Sequence, residues 1–490
     1  MTGSDKRGVA SFMGRKVLMG YGVAGLLIYL ITAWNSIGYH HADEHFQILE
    51  FANFKLGDPG VSSDDLAWEY SERIRPGLQV LMAWSTMRLF SLFHTDDPFT
   101  VALFLRMLSA IVILYTLWVV ARALPNTAHH RSAAHLYCCV AILLWFLPYV
   151  GVRFSSENWS GCLFFIGAAL IFTRPNTSIG EQMLYGLILG LSFSIRYQSG
   201  IAIAGLCCWM ILHRIKAVPG VLLGLLGGMG VGVLADAWLY GEWTFSAWRY
   251  FELNILEDRV SEFGTDPWYY YFHGVLEKSD PMIGGLAMIA MLFFWWKKRD
   301  HPFTWAAMPF FLAHMLISHK EVRFLFPLAP MLPLVLTVLL IQLREYPVQW
   351  KRVVCLILIL DLPLLVYTMV RPASPHILAL KKAQEMQWPQ AVILYTEHDP
   401  YRDTGLPHHF YGKAIRISSI KVEDPEQMLH LVDDAALLWT DRIDTHRIQM
   451  EGLHVERLYG SHPQWITDHF NVNDWVSRTS MRALYLVKRL

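Results

Sequence analysis

Long apolar runs recur along the chain and stop near residue 371. Residues 17–34, 101–121, 218–235, 324–341 and 353–370 are apolar over roughly 18 residues or more, a length that can cross a bilayer. After Arg371 the pattern changes. Charges become frequent, and short apolar runs appear: Ala391-Val392-Ile393-Leu394-Tyr395, Ala435-Ala436-Leu437-Leu438-Trp439 and Ala483-Leu484-Tyr485-Leu486-Val487. With helix-like stretches between them, these runs predict strands of a small soluble α/β domain. The chain shows no internal repeat and no low-complexity tract.

The polar positions between the runs predict an orientation, because positive charge marks the cytoplasmic ends of short membrane loops. Lys6, Arg7, Arg15 and Lys16 precede the first run. Later clusters are Arg122 with Arg131, Arg174, His213-Arg214-Ile215-Lys216, Lys297-Lys298-Arg299, and Arg344 with Lys351 and Arg352. One arrangement leaves all of them inside. It has eleven transmembrane helices, near 17–34, 101–121, 136–150, 158–173, 184–198, 200–213, 218–238, 282–297, 303–317, 324–343 and 352–370. The shorter ones must tilt or be shielded by neighbours. Residues 77–93, which include Arg88, then lie on the membrane as an interfacial helix or re-enter, since a full span there would invert every later loop. Loops 35–100, 151–157, 239–281 and 318–323, and everything after Arg371, face outward. The plan is a membrane catalytic domain over 1–371 with a first outer loop at 35–100, followed by an extracytoplasmic soluble α/β domain over 372–490. No small-residue cleavage site follows the first run, which is expected to be retained.

Composition supports the membrane class. The 490 residues are 54% hydrophobic and 17% charged, against about a quarter charged in soluble proteins. Lys+Arg and Asp+Glu both number 41, so total charge gives no sign of a nucleic-acid partner and none is expected. Cys138, Cys139, Cys162, Cys207, Cys208 and Cys355 all fall in apolar segments, where thiols act as small hydrophobes. They lack zinc spacing.

Candidate chemistry lies at the outer ends of the apolar runs. Asp43 and Glu44 follow the first run within His40-His41-Ala42-Asp43-Glu44-His45-Phe46-Gln47. Polar residues also cluster wherever a chain leaves the membrane, so the pair alone is a weak signal. As a functional pair, adjacent carboxylates repel and one is expected to titrate high, which suits a general base. His319-Lys320-Glu321-Val322-Arg323-Phe324 lies in another outer loop. Its cationic groups run against the positive-inside bias and suit a phosphate, which arginine can grip with two parallel bonds. Asp236-Ala237-Trp238-Leu239-Tyr240-Gly241 and the aromatic run Trp268-Tyr269-Tyr270-Tyr271-Phe272 share a third outer loop. The aromatic run reads as an interfacial belt, with sugar stacking or lipid grip as the alternative. Arg153 beside Ser156-Glu157-Asn158, and Arg196 with Gln198, complete the outer polar groups. Arg196, as a charge at membrane depth, needs a partner or an anionic ligand, and a simple structural ion pair serves as well. Walker, Rossmann and nucleophile-elbow motifs are absent.

Four of these stretches resemble a known family. His41-Ala42-Asp43-Glu44-His45-Phe46-Gln47 resembles the His-Pro-Asp-Glu-x-x-Gln signature of the Alg9/PIG-B-like mannosyltransferases, glycosyltransferase family 22. Trp68-Glu69-Tyr70 with Arg73-Ile74-Arg75-Pro76, Asp236 with Tyr240-Gly241, and His319-Lys320-Glu321-Val322-Arg323-Phe324 are similar to its other elements, in family order. Ala42 stands where the family has proline, which loosens the backbone and removes no chemical group. The resemblance implies a GT-C fold and inverting transfer of mannose from a polyprenyl-phosphate donor to a glycan or glycolipid acceptor. It implies Asp43 as base, Glu44 as its helper, and Lys320 and Arg323 on the leaving phosphate, with His319, Arg153 and Arg196 as further candidates. His41, Gln47, Trp68, Glu69, Arg75, Asp236, Tyr240 and Trp268 are the corresponding acceptor- or sugar-binding candidates. No metal or other cofactor is expected, because lysine and arginine can supply the charge.

Three alternatives stand beside this reading. One is a GT-C transferase of another lipid-phosphate sugar, such as aminoarabinose, arabinofuranose or glucose. Another is a transporter or flippase, against which the unrepeated layout argues. The third is a non-catalytic subunit, which would not need both a carboxylate and a phosphate cluster. The expected site is a multi-pass membrane protein of the bacterial cytoplasmic membrane in preference to the endoplasmic reticulum, active on the periplasmic or lumenal side. Asn158-Trp159-Ser160 and Asn176-Thr177-Ser178 fit glycosylation sequons, but their positions do not argue for the lumen.

Overall fold

The computed structural model describes residues 15–58, 60–124, 130–344, 347–388, 390–413, 415–423, 425–440, 452–462, 469 and 482–490. Lys6 and Arg7 lie outside them. The chain forms two compact units: Met1–Asn35, Glu69–Met82 and Phe104–Arg371 in the first, and Ser36–Trp68, Ala83–Leu103 and Pro372–Leu490 in the second. Residues 36–68 and 83–103, which the sequence plan puts with the membrane domain, thus cluster with the C-terminal part.

Helices occupy the expected apolar segments. They are Arg15–Asn35, Pro98–Val120, His130–Leu143, Ser156–Thr173, Ile179–Ile195, Ser199–His213, Val218–Tyr240, Pro281–Lys297, Pro302–Leu316, Leu332–Leu343 and Pro347–Val370. Residues Gly77–Leu92 are helical too. Among the described residues, four helical stretches are long and apolar enough to cross a membrane: Lys16–Asn35, Pro98–Ala123, Ile215–Tyr240 and Val322–Leu343.

Two expected spans are not continuous α-helices, and proline explains both. Over 136–150 the helix ends at Leu143 and resumes at Phe146–Gly151. Pro148 has no N–H for the carbonyl of Leu144 and crowds it; the Leu147 amide donates there instead, at 2.9 Å. The groups this break exposes are re-paired, as a low-dielectric setting demands. The Trp145 amide donates to Asp361 Oδ1 at 3.1 Å, and the Tyr29 hydroxyl donates to the Ala141 carbonyl at 3.3 Å. Over 324–343 the chain first winds as a 3₁₀-helix, Val322–Met331, before the α-helix begins. A turn of three residues stacks Pro327, Pro330 and Pro333 on one face, and all three are buried.

Helices Ile179–Ile195 and Val218–Tyr240 pack backbone against backbone. A Cβ on Gly224 would run into the Met183 carbonyl, one on Gly228 into that of Leu187, one on Gly186 into that of Val221 and one on Gly190 into that of Leu225. Small residues four apart permit this approach, which drives helix association where water gives no hydrophobic push. Gly224→Val is expected to lower stability by about 2 kcal/mol or more, read as a fall in the thermal midpoint in detergent. An unchanged midpoint would contradict the contact.

In the second unit, among the described residues, a five-stranded sheet runs in the order Arg416–Lys421, Gln390–Tyr395, Ala435–Thr440, Ala483–Arg489, Leu453–Gly460. The first three strands are parallel and the last two antiparallel to their neighbours. The three predicted runs are the three inner strands, buried on both faces and therefore continuously apolar. The outer strands, with one neighbour each, mix polar with apolar residues and are only partly buried. Leu394, Leu438 and Val487 of the inner strands form a core with Met428 and Val432.

Candidate active site

The acidic motif belongs to the second unit. His41 is the N-cap of the short helix Ala42–Glu44: its Nδ1 accepts the Asp43 amide at 3.2 Å and lies 3.4 Å from Asp43 Oδ1. Gln47 Nε2 donates to the same carboxylate oxygen at 2.9 Å. Asp43 is therefore steered by two motif residues while its side chain stays 23% exposed. The Glu44 carboxylate accepts the His40 amide at 3.3 Å.

Directly after Asp43-Glu44 the helix widens into a π turn over His45–Leu49 and returns to α over Glu50–Leu56. His45 is fully buried. Its ring stacks on Tyr39 at 5.3 Å and on Tyr411 at 5.1 Å, and its Nε2 lies 2.8 Å from Glu50 Oε1. Glu50, buried as well, accepts the Phe410 amide with both oxygens, at 2.9 and 3.1 Å. Burial holds the His45 imidazole down to about 3 and pushes the Glu50 carboxyl up to about 8. Beside them the Tyr39 hydroxyl donates to Asp403 Oδ2 at 2.6 Å and meets Nε2 of His408 at 2.9 Å and of His376 at 3.1 Å. Burial, then the Asp403 charge, push the Tyr39 phenol far above its ordinary value.

The phosphate candidates belong to the first unit, where Arg196 and Arg323 converge on one carboxylate that the sequence reading left without a role. Glu157 Oε1 accepts Arg196 Nη1 at 2.9 Å and Arg323 Nη1 at 3.0 Å, with all three side chains nearly buried. Arg323 also grips Glu321 by two parallel bonds, Nε to Oε2 at 2.6 Å and Nη2 to Oε1 at 3.0 Å. The Phe324 ring lies under both guanidiniums, 5.1 Å from Arg323 and 5.5 Å from Arg196. His319 Nε2 is 3.2 Å from Glu321 Oε1. The cluster is thus no bare cationic patch: two carboxylates hold the guanidiniums in place, as buried charge requires.

Lys320 departs from its expected setting. Its Nζ donates to the carbonyls of Ile317 at 2.6 Å, Asp266 at 2.8 Å and Ser318 at 3.4 Å. An ammonium has three protons, so this cage uses all of them. Burial pushes its pKa down. Arg153 is 1% exposed and lies 5.5 Å over the Tyr149 ring.

The remaining candidates of the first unit fasten a turn. Arg75 Nη2 donates to Glu69 Oε1 at 3.1 Å. The Tyr240 hydroxyl accepts the Arg75 amide at 3.2 Å and donates to the Arg75 carbonyl at 2.9 Å. Asp236 Oδ1 accepts the Gly77 amide at 2.6 Å, and Oδ2 accepts the Tyr197 hydroxyl at 3.3 Å. Asp236 is 4% exposed, so the atoms expected to meet a sugar are buried and engaged with the chain. Gly241 ends the helix at φ +74°, a left-handed position that favours glycine. Trp268 is 62% exposed, with Tyr269 at its edge, and half-buried Trp68 belongs to the second unit. Among the described residues no group of three His, Cys, Asp or Glu side chains is placed to hold a metal.

Comparison with known proteins agrees with the motifs. The Alg9-like mannosyltransferase family matches residues 24–389, most of the chain, and the protein belongs to that family. GPI alpha-1,2-mannosyltransferase 3 of Bos taurus is 24% identical over 300 residues, covering 59% of this chain and 52% of that protein. GPI mannosyltransferase 3 of Yarrowia lipolytica is 25% identical over 316 residues, covering 59% and 56%. The chain spans about half the length of the curated relatives it matches. Among solved structures, ArnT from Cupriavidus metallidurans bound to undecaprenyl phosphate aligns over 97% of this chain and 98% of that one, at 11% identity and a TM-score of 0.49. Family and apolar helices together make this an integral, multi-pass membrane protein.

Proposed function

We propose that this protein is a GT-C mannosyltransferase with eleven spans. It moves mannose, with inversion, from a polyprenyl-phosphate donor to a hydroxyl of a glycan or glycolipid on the periplasmic or lumenal side. The observation that carries the reading is Asp43, accessible yet steered by His41 and Gln47, in a chain of the Alg9-like mannosyltransferase family. Asp43 takes the acceptor's proton as the oxygen attacks the anomeric carbon. The bond to the donor phosphate breaks, and its electron pair leaves on the polyprenyl phosphate. Fixed charges that meet a developing anion lower such a barrier most, and Arg196 and Arg323 fill that role, with Arg153 as a further candidate. Glu157 and Glu321 keep those guanidiniums oriented. Lys320 orders its loop through three carbonyls, and Asp236 and Tyr240 secure the Arg75-Pro76-Gly77 turn. Glu44 and Trp68 contact the acceptor, Glu69 holds Arg75, and exposed Trp268 grips lipid at the interface.

The relatives' names favour a glycolipid acceptor and an α-1,2 linkage, and an α product is what inversion at a β-linked mannosyl phosphate gives. The test uses the purified full chain with radiolabelled polyprenyl-phosphate mannose, glucose, aminoarabinose or arabinofuranose, and a membrane glycolipid extract as acceptor. Label should move from the mannose donor into an α-1,2-linked product. Transfer of another sugar in its place would overturn the donor, and intact donors throughout would overturn the enzyme.

A further inference from the structure

A π turn places the residues at i and i+5 one above the other. In an α-helix those residues lie roughly 140° apart around the axis and cannot meet. His45 and Glu50 are five apart, the Glu50 amide donates to the His45 carbonyl, and the two side chains meet at 2.8 Å. The contact therefore exists only while the turn is π, and a widened turn inside a helix is a recurrent feature of functional sites. The same turn carries Gln47, whose amide grips Asp43. Tightening it to α would rotate Gln47 and everything after it relative to the acid.

The widened turn is held from a distant stretch of sequence within the same unit. The Phe410 amide donates to both oxygens of Glu50, Tyr411 and His408 pack on the His45 ring, and Tyr39 links His408, His376 and Asp403. We propose that His45 and Glu50, clamped by the 408–411 segment, are positioning residues that lock the π turn and thereby aim Asp43, so that the C-terminal residues serve the transfer step without touching either substrate. This rests on Asp43 being the base.

The test is a set of variants in the full chain: Glu50→Ala, Glu50→Gln, Asp43→Asn and the double variant Asp43→Asn with Glu50→Ala. Each is assayed with polyprenyl-phosphate mannose and the glycolipid extract. Misaiming a reacting group costs about 10- to 100-fold in rate. Glu50→Ala should lose that factor in kcat with donor KM within about twofold. Glu50→Gln, which keeps the shape and an acceptor for the Phe410 amide, should recover most of it. In the double variant, removing Glu50 should cost nothing beyond Asp43→Asn, because residues acting through one group are not additive. A full extra loss in the double variant, an unchanged kcat in Glu50→Ala, or no recovery by Gln would overturn the proposal. Near-normal turnover of Asp43→Asn alone would instead overturn the base, which separates the two failures.

A pH series supplies a second readout for variants too slow to rank. Glu50 lies against His45 on its own helical stretch and the Phe410 amide, and it feels the charges of His409, Asp58 and Asp65. Burial pushes its carboxyl up to about 8 from an ordinary 4.5, so the folded protein keeps a proton that the unfolded chain releases. The stability this gives is whole below 4.5 and is lost as the pH rises through 8. Wild type should lose thermal midpoint across that window. Glu50→Gln should lose less, and an identical decline in both would overturn the buried clamp.

Discussion

Asp43→Asn is expected to lower kcat by about 10²- to 10⁴-fold, the range that a positioned general base supplies, while the fold and donor affinity stay close to wild type. Asparagine keeps the volume and one oxygen, so Gln47 Nε2 retains its acceptor at the place where it now reaches Asp43 Oδ1. The amide cannot take the acceptor's proton, and the attacking hydroxyl loses its activation. The helix N-cap is untouched, because it is made by the Asp43 amide and His41 Nδ1. Initial rates with polyprenyl-phosphate mannose, set beside donor binding and the thermal midpoint, separate chemistry from folding. Near-normal turnover removes Asp43 as the base.

Arg323→Ala should cost about 10²- to 10³-fold in kcat/KM for the donor, the loss typical of removing one group that stabilises a leaving anion. It should destabilise as well. Glu157 Oε1 would lose one of the two guanidiniums it bridges, and Glu321 would lose both of its parallel bonds; breaking a buried pair from one side costs about 3–5 kcal/mol. Arg323→Lys should rescue little, since a single ammonium cannot make a forked contact with Glu321 while reaching Glu157. Lys320→Ala is expected to act differently: its three carbonyl partners predict loss of loop order with a smaller effect on donor use. Donor kinetics unchanged in Arg323→Ala would sink the phosphate role.

Much of this protein is legible from short-range pattern. Apolar run length marks the membrane class because lipid accepts only segments that satisfy their own backbone. The inner strands were visible because burial on both faces makes a strand apolar throughout, whereas the edge strands Arg416–Lys421 and Leu453–Gly460 are half polar and carry no such continuous run. Proline breaks were visible in principle: Pro148 and the Pro327, Pro330, Pro333 spacing both interrupt an α-helix by a local steric rule. The four motifs led to the family because each is a contiguous stretch.

Partnership was not legible. Glu157 reads as the ordinary first-turn acid of a helix; that it bridges two arginines 39 and 166 positions away depends on which helix ends converge. Lys320 and Arg323 look alike as cations, yet one is caged by carbonyls and the other paired with carboxylates, a difference of setting and not of residue type. Glu50 sits in an ordinary helical pattern, and its clamp is an amide 360 positions on. Contacts set by nearest neighbours along the chain leave a periodic trace, so the sequence alone determined the membrane class, the inner strands and the acidic motif. Contacts made by chain segments that meet only on folding leave none. Tertiary structure therefore decided which charges are paired, which candidates are spent on the backbone, and how the turn behind Asp43 is held.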